Sequence, residues 1–183
     1  MSEHTNAEFQ INEWFNNTPE AIEFERNTKR DSYSMTKLHV HVGEIVGNYS
    51  KVTLCAGYIG LLCGMGENSI IVINALNKNG MPELFSGALI IAYDMNGSIF
   101  ALNSGACKEA SLGRVLYLPK ESFAWEDLDL SYAQFLKWLS GLTENELIIN
   151  GWKPDAEYKS ISNIAEYLKG KAAAYKMFLR QRG

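Results

Sequence analysis

The chain has 183 residues, 46% of them hydrophobic and 21% charged, which suits one domain over residues 1–183 with a core that needs no disulfide or metal staple. Its 17 basic and 21 acidic side chains give a net charge of −4. That balance removes any global electrostatic case for nucleic acid or an anionic membrane as partner.

The first predicted element is a helix, because Ile11, Trp14 and Phe15 recur at the i, i+3, i+4 spacing of one apolar face. Thr18-Pro19-Glu20 then reads as a helix start, with a capping hydroxyl, a proline pre-set for the first turn and an acid at the positive end. This predicts a second helix from Pro19 to Lys29. From Lys37 the texture changes: Leu38-His39-Val40-His41-Val42, Gly43 to Val46, Lys51 to Cys55 and Tyr58 to Cys63 are β-branched or aromatic runs cut by Gly47-Asn48 and Ala56-Gly57. They predict successive antiparallel strands joined by tight turns.

Ser69 to Leu76 is apolar without a clean period, and the capping option at Asn68 or Ser69 favours a short helix. Ala88 to Asp94, the Asn96-Gly97 turn and Ser98 to Leu102 form the clearest hairpin signal, since Asn-Gly supplies the positive φ that tight turns need. A small-residue loop from Asn103 to Gly113 leads to a strand at Arg114 to Leu118, which Pro119 ends by removing a ladder donor.

The last third is helical. Leu128, Tyr132, Phe135, Leu136 and Leu139 share one face, Ser131 and Gln134 are spaced as a capping box, and Gly141 is a stop. Thr143 and Glu146 repeat that spacing for a short helix ending by Gly151. Ile161, Ile164, Leu168, Ala172, Tyr175 and Leu179 trace the face of a long terminal helix with Gly170 as its weak point. The expected fold class is α+β: a single, mostly antiparallel sheet with helices packed from the N- and C-terminal ends.

Cys55, Cys63 and Cys107 make no CxxC pair and read as reduced, buried thiols. The first residues carry neither a basic n-region nor an apolar h-region, and no apolar run approaches the roughly 20 residues that span a bilayer. A cytoplasmic protein without a membrane partner is the expectation.

His39 and His41, two apart in a predicted strand, would point to one side as two metal ligands can. With Glu44 nearby they are the weak candidates for a metal or ligand site, although His4 is the only other histidine. The glycines Gly57, Gly60, Gly64 and Gly66 match neither a P-loop nor a dinucleotide fingerprint. Neither a G-x-S-x-G elbow nor an H-E-x-x-H helix occurs, so no catalytic residue and no cofactor is assigned and the chain is not expected to be an enzyme. Glu121 to Glu146 holds six acids against Lys137, while the chain from Lys153 carries seven basic residues against three acids. Phe123 and Trp125 stand among those acids, and aromatic anchors with charged surrounds are favoured at interfaces.

The run Gly87 to Gly105 (GALIIAYDMNGSIFALNSG), then Gly113-Arg114-Val115-Leu116-Tyr117, Trp125-Glu126-Asp127-Leu128 and Tyr132-Ala133-Gln134-Phe135-Leu136-Lys137-Trp138, resembles an uncharacterised bacterial domain-of-unknown-function family. The resemblance covers about residues 40 to 140. Tyr93 stands where that family often has an acid, and Asn96 replaces a glycine. More distantly, the order of acidic hairpin, strand and Y-x-x-F-L helix is similar to the SUKH superfamily of SMI/KNR-like proteins, an α+β fold. Many bacterial members are immunity proteins, so the resemblance implies a cytoplasmic partner-binding protein that neutralises a toxin domain. Asp94, Trp125, Glu126, Asp127 and Asp129 are the expected partner-binding residues. The alternative is a small-ligand- or metal-binding protein, or an uncharacterised enzyme, using a pocket near His39, His41 and Glu44.

Overall fold

Tyr49–Leu54, Ile59–Leu61, Ala88–Asp94, Ile99–Asn103 and Val115–Leu118 form strands β2 to β6, flanked by β1 at Glu23–Arg26 and β7 at Glu126–Asp127. Their order in the sheet is their order in the chain, and every neighbouring pair is antiparallel. The computed structural model describes residues 3–18, 22–27, 40–55, 57–64, 66, 69–76, 83–141, 161 and 163–182. Among these, helices α1 (Glu3–Asn17), α2 (Val40–Asn48), α3 (Ile70–Leu76), α4 (Tyr132–Leu139) and α5 (Ile164–Arg182) surround the sheet, and Glu83–Phe85 is a short 3-10 turn. The architecture is the expected α+β meander with helices at both ends.

All of β5 and β6 is buried. Successive strand residues face opposite sides of a sheet, so both faces must be covered. On one of them Phe100, paired with Tyr117 across the strands, meets Phe135 of α4 at 5.1 Å between ring centroids. The β4–β5 hairpin closes through Asn96-Gly97, where Gly97 has φ 103. Helix α4 starts on the capping box: the Ser131 hydroxyl accepts from the Gln134 N–H, and the Gln134 side chain accepts from the Ser131 N–H. Leu128 precedes that helix and extends the sheet instead, donating to the Val115 carbonyl at 3.0 Å.

Two expected elements are of the other type. Glu23–Arg26, expected as helix, is instead the edge strand β1, its residues paired antiparallel with β2, and the Thr18 hydroxyl before it donates to the Ser140 carbonyl at the end of α4. Phe24 meanwhile packs on Phe15 and Tyr49 at 6.0 and 5.7 Å. The segment from Val40 to Val46, expected as strand, and the expected turn at Gly47-Asn48 form helix α2. Its buried His41, Val42, Ile45 and Val46 fall at helical spacing and its neighbour in the fold is α1, so tertiary packing overrides the β preference of valine and isoleucine. The predicted short helix after Thr143 lies outside the described residues.

Candidate functional site

The β6–β7 connection carries the expected Trp125, and the fold fixes it from two directions. Its indole N–H donates to the Leu84 carbonyl at 2.8 Å, and its ring stands edge-on to Phe85 at 6.4 Å. Phe123, two residues earlier, packs against Tyr175 and Phe178 of α5 at 5.6 and 5.2 Å. The Lys171 ammonium lies 5.7 Å from the Phe123 ring and donates to the Pro119 and Lys120 carbonyls at 3.0 and 2.6 Å, tying α5 to the same connection. Burial pulls the Lys171 amine down to about 8.

The opposite wall is the loop after β5. Asn103, 3% exposed, organises it. Its amide donates to the carbonyls of Cys107 and Ala110 at 2.8 Å each and of Ser111 at 3.3 Å, while its carbonyl oxygen accepts from the N–H groups of Gly105 and Cys107. One buried side chain therefore satisfies a loop that has no ladder of its own. Between this loop, the 3-10 turn and the Phe123–Trp125 segment runs an open groove of about 250 Å³, with Tyr175 at one side. Glu83, Cys107 and Glu109 also line it. The Cys107 thiol donates to Glu109 Oε2 at 3.4 Å. The Glu109 carboxyl is held below the ordinary carboxylate range by its own backbone N–H and then by that thiol.

Glu126 and Asp127 continue from Trp125 as the exposed edge strand β7. Neither forms an ion pair among the described residues. Asp129, with φ 56, donates its N–H to Asp127 Oδ1 at 2.9 Å and pairs with Arg114. Four of the five expected partner-binding residues thus share one end of the sheet. Asp94 does not join them. It is 0% exposed, and its Oδ1 accepts from the Gly97 and Ser98 N–H groups at 2.8 Å each, so it builds the hairpin turn and cannot touch a partner.

The other expected cluster is not assembled as foreseen. His39 lies outside the described residues. His41 is on helix α2, where residues two apart do not share a face; its ring stacks on Trp14 at 5.8 Å and its Nε2 lies 2.9 Å from Gln10 Oε1. Buried Glu44 accepts from Asn48 Nδ2 at 2.8 Å. Among the described residues no three His, Cys, Asp or Glu side chains gather as a metal-holding group. The three cysteines are free thiols, but only Cys63 is buried, its pKa pushed by burial up to about 12. Cys55 and Cys107 are half-buried, which corrects the expectation for both. Sequence reasoning missed Glu83, Glu109 and Tyr175, which sit on three separate segments; the one signal near them was the loop from Asn103 to Gly113 bounded by glycines.

Residues 2–166 match the family model for a protein of unknown function, DUF2625. Over 63 residues the chain is 48% identical to the putative uncharacterized protein YbfG of Escherichia coli (strain K12), a stretch covering 33% of this chain and 28% of that protein. No solved structure matches. Among the described residues no helix is long and apolar enough to cross a membrane.

Proposed function

Because this chain belongs to the DUF2625 family, which is described only as of unknown function, we propose its role from its own surface: a non-catalytic, cytoplasmic protein-binding domain that captures a basic partner at its β7 end. The observation that carries this reading is the exposed pair Glu126 and Asp127, without an ion pair among the described residues and continuous with an aromatic groove at Trp125. Aromatic anchors supply contact area at interfaces, and an unbalanced charge beside them steers a complementary partner. The Trp125 and Asn103 hydrogen bonds hold both walls in place before contact, which lowers the ordering cost of binding. A toxin domain is the finer partner class within this proposal; the likeness to SUKH immunity proteins supports it.

The test is capture on the immobilised chain from a lysate of the native host, identification of the retained protein, and titration of that purified partner. Glu126→Lys with Asp127→Lys should weaken binding at least tenfold and flatten its salt dependence. Equal affinity for the wild type and the double variant, or no specific protein retained, defeats the reading.

A further inference from the structure

We propose that the groove is a pocket for one arginine side chain, presented by the protein partner. This assignment rests on the protein-binding reading of the β7 end and names the chemistry of its anchor. Size comes first: about 250 Å³ lies below the roughly 300–1,000 Å³ of pockets that enclose a drug-sized ligand, so the space suits a single side chain better than a nucleotide or cofactor.

The lining then selects the side chain. Trp125 has one polar atom, its indole N–H, and that is spent on the Leu84 carbonyl, so toward the groove the ring offers only carbon surface. Phe123 is already engaged by the Lys171 ammonium and by Tyr175 and Phe178, so Trp125 is the ring offered to an incoming cation. Glu83 and Glu109 line the groove, and neither forms an ion pair among the described residues. The Glu109 carboxylate, exposed at the groove, accepts from the Cys107 thiol through Oε2 and from backbone N–H groups, which fix it in place. A mostly polar lining that sets the Trp125 ring beside two carboxylates suits a planar guanidinium, which stacks on rings and forks toward carboxylates, more than a compact, strongly hydrated ammonium.

The test uses the full-length chain labelled with nitrogen-15 and three capped tripeptides, Gly-X-Gly, with X arginine, lysine or the neutral isostere citrulline. The Trp125 indole N–H resonance, assigned through Trp125→Phe, should shift saturably with the arginine peptide, less with lysine and not with citrulline. In Glu83→Gln with Glu109→Gln the shift should disappear while the rest of the spectrum stays in place. Equal shifts with citrulline, equal affinity for lysine, no groove resonance moving, or a shift retained in the double variant each overturns the assignment. Partner capture separates the two readings. If the purified partner binds the Glu83→Gln, Glu109→Gln variant normally yet loses Glu126→Lys, Asp127→Lys, the arginine pocket falls and the binding domain stands. If both variants bind normally, the binding reading falls as well.

Discussion

At β1 and β7 the same sheet ends in two strands that carry acids and are flanked by aromatic rings, yet the two ends are finished differently. At β1 cations stand beside the acids and the rings pack on one another. Lys51 approaches Glu23 at 3.9 Å, Arg26 bonds Asn12 and lies 5.9 and 5.7 Å from the rings of Phe24 and Tyr49, and those rings pack on each other and on Phe15. At β7 Glu126 and Asp127 form no ion pair among the described residues, and Phe123, Trp125 and Tyr175 line an open groove. Charged edge strands resist edge-to-edge pairing, and β1 does no more than that role requires. The surplus at β7 is what the proposed binding role draws on.

If the β7 end is held ready by its loop, the largest effect should come from Asn103→Ala. Five hydrogen bonds of one buried side chain are lost and several loop groups are left without partners, a cost of about 3 kcal/mol in urea denaturation. Amide exchange should accelerate across residues 104–113 and remain unchanged in β1 and β2. Uniform acceleration would mean that Asn103 supports the whole fold, and the contrast between the two ends would lose its basis.

Lys171 gives the next effect, and it depends on pH. Unfolded, the amine keeps its proton to about pH 10.4; folded, it releases it near 8. Between those values the unfolded chain binds more protons, so stability rises with pH, by about 1 to 2 kcal/mol for a buried amine partly compensated by two carbonyls. Above pH 10 the trend reverses, because burial raises the phenols of Tyr49, Tyr93 and Tyr117, and Tyr167 to about 12, so the folded chain then holds the extra protons. Lys171→Met should remove the rise between pH 8 and 10 and keep the fall above it. Trp125→Phe, which deletes the bond to the Leu84 carbonyl and trims the ring that meets Phe85, should cost about 1 to 2 kcal/mol by the same measurement.

Much of this was legible in the residues. The Asn96-Gly97 hairpin, the strand ended by Pro119 and the Ser131 and Gln134 capping box are encoded within a few positions, and local physics suffices for them. Where the reading failed, a distant contact decided. Residues 23–26 pair with β2 far along the chain, and α2 is held against α1 through His41, which stacks on Trp14 and meets Gln10. The site divides in the same way. Trp125, Glu126 and Asp127 are consecutive and could be seen together, whereas Glu83, Cys107, Glu109 and Tyr175 meet only through folding. Asp94 looked like a surface acid until the hairpin turn took its carboxylate inside.

The smallest effect on stability is also the sharpest test of the contrast. Glu23→Lys with Glu25→Lys at one edge and Glu126→Lys with Asp127→Lys at the other alter exposed carboxylates, and each pair should move the unfolding free energy by no more than about 0.5 kcal/mol. Both change the net charge by the same amount, so any effect of global charge on association must be equal in the two. Partner affinity should nevertheless fall at least tenfold for the β7 pair alone, because there the carboxylates adjoin the groove at Trp125. Equal losses would reduce the β7 surface to a share of the overall field, and the groove would have no claim on the partner.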